Sequence, residues 1–261
     1  MSTPAAVRVT GYHLTAFRRL WRATFSTAFF TPLFYLTALG LGLGSLIDQN
    51  PSAGASLDGV SYAAFIGPGL LAATGMAIGG LDSTWPVLAS MKWSRTFYAM
   101  TATPLRAADV VFGHMLWMTA RLFIAVGAFA AVMMLFDDTR TLGTWAAVPA
   151  GVLTGLAFAG PTFAWACTVD NTGSSFASYQ RFVVMPMFLF SGTFFSVSLL
   201  PAPLEVVAWF TPLFHGVSLC RGIALGGAVW WRQLVHITFL SALAIAGTMV
   251  GRRTLARRLY A

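Results

Sequence analysis

Five stretches of this sequence run long enough without a charged side chain to cross a bilayer: residues 23–47, 59–81, 141–169, 182–204 and 233–251. A membrane span needs about 20 mostly apolar residues. A sixth stretch, 110–136, is interrupted only by Arg121. Charged residues make up 9% of the chain and mean hydropathy is +0.73. A soluble domain carries about a quarter charged residues, so too little polar surface exists to cover a globule in water. The expected fold is an all-α integral membrane protein. Its six transmembrane helices fall near 23–47, 59–81, 110–136, 145–168, 182–200 and 233–251, in one transmembrane domain covering 1–261.

Charge orients the spans. The net charge of +8 would suggest nucleic acid in a soluble protein; here it is a topology signal, and no nucleic-acid partner is expected. One side collects Arg8, Arg18, Arg19, Arg22, Lys92, Arg95, Arg106, Arg181, Arg252, Arg253, Arg257 and Arg258, and the other only Arg140, Arg221 and Arg232. The excess of Lys and Arg marks the cytoplasmic face, so both termini are expected in the cytoplasm. No cleavable signal peptide is read, because the first apolar run is too long and is kept as a span.

Residues 206–229 do not make a seventh span. Pro212, His215 and Arg221 would then lie in lipid, at considerable cost. Two short pieces, 204–210 and 213–226, broken at Thr211-Pro212, fit a re-entrant hairpin on the outer side. Pro201 and Glu205 lie at its entrance. Such backbone is tolerated in the membrane only under cover of protein or water. Ahead of the first span, Leu14, Phe17 and Trp21 share a helical face, with Arg18 and Arg22 beside them. That pattern fits a helix lying in the cytoplasmic interface; the alternative is a plain extension of the first span.

Glycines recur four apart at Gly40/Gly44, Gly75/Gly79, Gly151/Gly155 and Gly222/Gly226. Small residues at this spacing let helices approach closely. Packing inside one bundle is favoured over a dimer seam.

Standard catalytic constellations are missing. The one lysine follows Met91, so no phosphate loop of the G-x-x-x-x-G-K-[ST] type exists. No HExxH or G-x-S-x-G occurs. His13, His114, His215 and His236 are scattered along the chain and read as hydrogen-bonded structural residues. Cys167 and Cys220 read as small buried hydrophobes.

A basic, helix-competent segment separates the second and third spans: MKWSRTFYAMTATPLRAAD, residues 91–109. A helix is expected from about Val87 to Thr101. Thr103 and Pro104 then read as N-cap and first residue of the next helix. Trp93, Phe97 and Tyr98 are expected to be exposed among Lys92, Arg95 and Arg106. Aromatic and arginine side chains together make contact sites for a protein partner. An interfacial helix touching lipid headgroups has the same composition.

The residues RTFYAMTATPL at 95–105, PMFLFSGTFFSVSLLP at 186–201 and TPLFHGVSLCRGIALG at 211–226 resemble motifs of the permease subunits of ABC-2 type exporters. Among these the look is nearest to the nodulation lipooligosaccharide and daunorubicin-type resistance permeases. The resemblance covers the whole chain. It implies that the loop between spans two and three is a coupling helix docking on a separate ATPase. Lys92, Trp93, Arg95, Thr96, Phe97, Tyr98, Met100, Thr103 and Pro104 would carry that contact. It implies two copies of the ATPase, holding ATP and Mg²⁺, with no cofactor and no enzyme activity in this chain. It further implies a second permease copy, identical or paralogous, contact with membrane lipids, and a place in a bacterial plasma membrane. Asp82 stands where relatives commonly have Glu, and Ser196 where they often have Pro.

Arg121 is the lone charge deep in a span, about 17 Å along the helix from Val110 at ~1.5 Å per residue. It should face the bundle interior or a polar path. Two roles are open: contact with an anionic or phosphorylated substrate headgroup, or bonding to carbonyls or hydroxyls of a neighbouring helix. The expected function is the membrane half of an ATP-driven exporter for a hydrophobic drug, glycolipid or lipid-linked saccharide. A membrane-embedded lipid-modifying enzyme and a non-transporting scaffold or sensor subunit are the alternatives.

Overall fold

A computed structural model of the chain describes residues 4–49, 57, 59–170, 174–226 and 229–260, with backbone only for residues 20, 21 and 23–27. All regular structure among these residues is helical. Helix α1 (Ala5–Tyr35) continues through a π-helical stretch, Leu36–Leu43, into α2 (Gly44–Asp48). Helix α3 is Tyr62–Asp82, capped by the Ser61 hydroxyl accepting from the Ala64 N–H. Two short helices follow, α4 (Trp85–Lys92) and α5 (Thr96–Thr101), and then α6 (Ala107–Met133). Helix α7 (Leu142–Ala146) leads into α8 (Val148–Ala166). A further helix runs as α9 (Ser174–Tyr179), a π turn (Gln180–Val184) and α10 (Met185–Phe190). Next come α11 (Ala202–Trp209) and α12 (Pro212–Leu225), and α13 (Trp230–Tyr260) ends the described fold.

Five of these helices are long and apolar enough to cross a membrane: 28–48, 62–92, 107–133, 142–166 and 230–260. The expected fifth span, 182–200, is not among these five, and the helix in that region has other bounds. Its helix begins at Ser174 and stops at Phe190, about 26 Å long at ~1.5 Å per residue. The stop is chemical. Ser191 leaves the helical region and Gly192 takes φ +84°, which a side-chain-bearing residue adopts poorly. Arg181 therefore lies inside this helix, where the sequence alone placed it before the span.

The bundle is closed at α3 and α8. A Cβ on Gly75 would overlap the carbonyl oxygen of Gly151, and one on Gly79 that of Gly155. The two small-residue pairs on different helices thus meet within one chain and bring the backbones into contact. Gly160 on α8 approaches Ala244 of α13 in the same manner. Gly226, of the pair Gly222/Gly226, makes no such approach. Gly226 ends α12 at φ +78° with open space around it.

The N-terminal part of α1 lies on α6. Val9 is buried, the Thr10 hydroxyl donates to the Gly113 carbonyl (3.1 Å), and Phe17 meets Trp117 edge-on at 5.4 Å. The packed face therefore runs through Val9, His13 and Phe17. Leu14, expected on that face, is 41% exposed. The Trp21 side chain lies outside the described residues. No break separates 5–17 from the backbone that follows.

Candidate functional site

Asp82 is the last residue of α3, and a two-residue turn joins it to α4 with no sharp bend between the two helices. The Thr84 hydroxyl donates to the Leu81 carbonyl (2.7 Å). Pro86 occupies the first turn of α4, where its missing N–H is no loss. The helix expected over 87–101 is broken in the middle. Trp93 and Ser94 both donate backbone N–H bonds to Ala89, and Arg95 adopts φ +50°. A left-handed conformation costs an ordinary residue ~1–2 kcal/mol. Here it folds α5 back against α4.

That fold buries one expected anchor and exposes the others. Phe97 is 1% exposed, with its ring 6.3 Å from that of Phe163. It belongs to a cluster with Val87, Leu88, Met91, Val110 and Leu255. The expectation of an exposed Phe97 is thus overturned. Residues one turn apart on α5 face the core, and Tyr98 is turned outward. Trp93 is 59% exposed and stacks on Trp85 at 6.4 Å. Lys92, Arg95, Tyr98, Thr103 and Pro104 are exposed, and Thr96 and Met100 are half-buried.

The N-cap of the next helix also differs from expectation. The Thr103 hydroxyl closes α5 by donating to the Met100 carbonyl (2.6 Å), and Pro104 lies in the turn. Helix α6 starts at Ala107, because the Asp109 carboxylate accepts the Arg106 N–H (2.9 Å). Acceptors at a helix start satisfy otherwise orphaned N–H groups, and a carboxylate also favours the positive end of the dipole.

Asp170 and Arg258, which had no site role in the sequence, join Lys92 in holding this corner in place. Lys92 Nζ donates to the Asp170 carbonyl (2.8 Å). Arg258, near the end of α13, pairs with the Asp170 carboxylate at 2.6 Å and donates to the Cys167 carbonyl at 3.0 Å. The α4–α5 corner, the turn after α8 and the end of α13 are thereby fastened together. The tail arginines carried only a topology signal in the sequence, and nothing there paired Asp170 with either cation.

Arg121 lies about 21 Å along α6 from Ala107 at ~1.5 Å per residue. Its Nε donates to Asp82 Oδ2 at 2.7 Å, and the side chains are 18% and 29% exposed. The expected structural partner was a carbonyl or hydroxyl, but the observed one is a carboxylate. Phe17 covers the guanidinium at 5.6 Å. The pair stands at one end of a chamber of about 430 Å³. Ala28, Thr31, Tyr35, Leu70, Ala125 and Phe188 are among its lining residues. The Arg121 Nη1 atom is buried with no hydrogen-bond partner among the described residues.

The segment 202–225 has the expected break. Helices α11 and α12 meet at 82°. The Thr211 hydroxyl caps α12 by accepting from Phe214 N–H, and Pro212 is its first residue. The hydroxyls of Ser191 and Thr211 are 2.8 Å apart, so the chain leaves and re-enters the bundle at one level. Pro212 shares a chamber with Phe158 and Leu243, mid-way along α8 and α13, while the far end of α12 reaches Thr141 in the loop after α6. Arg221 ties this hairpin down by donating to the carbonyls of Phe65 (3.2 Å) and Gly192 (2.9 Å). Glu205 is in the first turn of α11, and Pro201 precedes it.

The histidines are not scattered in space. His13 and His114 rings lie 5.3 Å apart, and His215 Nδ1 is 2.8 Å from His236 Nδ1. His215 Nε2 is 3.0 Å from the Trp209 carbonyl, which can only accept. With both rings neutral, His215 donates from Nε2 to that carbonyl and accepts at Nδ1 from His236 Nδ1. No group of three or more His, Cys, Asp or Glu that could hold a metal occurs among the described residues.

Residues 13–225 match the model of the ABC-2 type transporter family. The chain is 31% identical to nodulation protein J of Rhizobium leguminosarum bv. viciae, covering 87% of this chain and 85% of that protein. Nodulation protein J of Rhizobium meliloti (strain 1021) is 32% identical, over 87% and 84%. No solved structure matches the chain. The family match runs from within α1 to the end of α12, including the α4–α5 corner, the Arg121 chamber and the bent α11–α12 pair. The chain belongs to the ABC-2 type transporter family and is a multi-pass membrane permease of an ABC exporter, not itself an enzyme.

Proposed function

We propose that this chain, acting as a single transmembrane domain, moves an amphiphile outward across a bacterial plasma membrane, driven by a pair of separate ABC ATPases. ATP and Mg²⁺ bind on those ATPases. Two permease copies, identical or paralogous, enclose the path, and both termini lie in the cytoplasm. The cargo is a hydrophobic drug, a glycolipid or a lipid-linked saccharide.

One observation carries this reading. The α4–α5 corner presents Trp93, Arg95 and Tyr98 outward on a base locked by Phe97. An exposed aromatic and arginine patch on a rigid base suits contact with a protein. A ligand shifts an equilibrium only by its differential contact with the two states. The nucleotide-dependent movement of an ATPase gripping this corner would supply that difference. Asp82 lies just before the corner and bonds to Arg121, so displacement there reaches the chamber through one ion pair.

The test is copurification with the ATPase encoded beside this chain. Trp93→Ala and Arg95→Glu should lower ATPase recovery and ATP-dependent transport in vesicles, with membrane insertion unchanged. Normal recovery and transport in both variants would overturn the coupling role.

A further inference from the structure

We infer that the end of α13 is a second docking contact for the ATPase, beside the α4–α5 corner, and that the surface it takes on that partner is acidic. The inference rests on the permease reading above and adds a site on a different helix. It starts from the two faces of α13. Gly251 and Leu255 are buried, and Arg258 is turned to the same side, where it bonds to Asp170 and Cys167. Opposite them stand Arg253, Arg257 and Tyr260, all exposed, at the i, i+4, i+7 spacing of a helical stripe. Arg252 is exposed beside the stripe. Arg252, Arg253 and Arg257 form no ion pair among the described residues.

Length decides what the stripe can reach. Helix α13 continues unbroken past the uncharged run 233–251 to Tyr260. At ~1.5 Å per residue, Arg257 stands about 9 Å and Tyr260 about 13 Å beyond Gly251. The headgroup layer adds only about 5–8 Å to each side of the hydrocarbon core. With 233–251 filling that core, Arg257 and Tyr260 lie past the lipid phosphates, at a level open to a soluble protein.

The stripe also shares a base with the corner. Leu255 is 0% exposed and belongs to the cluster of Val87, Leu88, Met91 and Phe97. The Tyr98 hydroxyl donates to the Arg258 carbonyl (3.5 Å), and Asp170 is bonded by both Lys92 and Arg258. A partner gripping Trp93, Arg95 and Tyr98 therefore meets α13 on the same packed base. Both parts of the surface are built from arginine and aromatic side chains, the types that anchor protein contacts. Charge gives the character of the partner. Lys92, Arg95, Arg252, Arg253 and Arg257 are all exposed, and the acid among them, Asp170, is already paired. An acidic surface relieves their mutual repulsion and is steered toward them.

The test measures binding of the ATPase encoded beside this chain to the full chain in nanodiscs of phosphatidylcholine alone. Replacing both stripe arginines, Arg253→Gln with Arg257→Gln, should slow association by about tenfold at low salt and flatten its dependence on added NaCl, because exposed interfacial charges act mainly on encounter. Arg253→Lys with Arg257→Lys keeps the charge and should retain the salt dependence. Arg140→Gln removes a charge from the loop after α6 and should change neither quantity. Arg257→Cys carrying a benzophenone should crosslink to the ATPase. The native Cys167 and Cys220 are buried, so they compete little for the reagent. This single exposed change provides a second route if the double variant does not fold.

Unchanged association and salt dependence in the double glutamine variant would overturn the inference, as would benzophenone label found only on lipid. An effect that appears only when phosphatidylglycerol is added would assign the stripe to lipid headgroups and overturn it too. If Trp93→Ala weakens binding while the α13 variants do not, the permease reading stands without this second contact. No binding of the ATPase by the wild-type chain would remove that reading, and the inference with it.

Discussion

Phe97 and Trp93 are four residues apart on the same inner corner, and their substitutions should separate stability from partner contact. Phe97 is 1% exposed and packed among Val87, Leu88, Met91, Val110 and Leu255. Removing a buried aromatic ring costs ~3–5 kcal/mol from lost transfer energy and the cavity left behind. Trp93 is 59% exposed and touches Trp85 on one face only. Truncating an exposed residue shifts stability by about 0.5 kcal/mol or less. Phe97→Ala should lower the apparent melting temperature in detergent by on the order of 10 °C, whereas Trp93→Ala should leave it within a degree or two. Both should reduce ATPase recovery, for different reasons. Phe97→Leu refills most of the space and should restore both properties, whereas no core substitution restores Trp93→Ala. The assay is thermal unfolding of the solubilised chain alongside pull-down of the ATPase. Equal destabilisation by the two alanines, or none from Phe97→Ala, would refute the division into a buried base and an exposed contact face.

Gly79→Leu should sharply reduce folded yield in membranes, because its Cβ collides with the carbonyl of Gly155, a backbone atom that cannot rotate away. Gly226→Ala meets open space, but φ +78° with ψ −176° is a conformation essentially confined to glycine, so its cost should be about 1–3 kcal/mol, read as a shift in unfolding. Arg258→Ala removes the bonds to Asp170 and Cys167 and should raise proteolytic cleavage after α8, with the outer hairpin unaffected. Cysteines introduced at Ser174 and Ser198 should label from the cytoplasm and from outside, respectively. The native Cys167 and Cys220 are buried, which keeps the background low. The reverse pattern would invert the proposed orientation.

The helices long enough to cross the membrane and the break at Thr211-Pro212 were legible because charge, length and proline act locally. Gly75/Gly79 and Gly151/Gly155 were legible as close-packing residues, although not as each other's partners. The bounds of the helix expected at 182–200 were not legible because apolarity continues from Phe182 through Leu200, while the helix is ended by Ser191 and Gly192. Phe97 was misread for a similar reason. Its neighbours Trp93 and Tyr98 are exposed, and only the left-handed turn at Arg95 decides which face of α5 is covered. The Asp82–Arg121 contact joins residues 39 positions apart, and the Lys92–Asp170 contact joins residues 78 apart. Local pattern carries no information at such separations. Ser52, a natural site for an outside label, lies outside the described residues.

The α3–α8 seam has a mechanical consequence. Where two helices touch through main-chain atoms, there are no rotamers to exchange and almost no slack for sliding, because packed interiors yield little. During a work cycle α3 and α8 should travel as a single strut. Flexing is then left to joints made of side chains, such as the one where Ser191 touches Thr211.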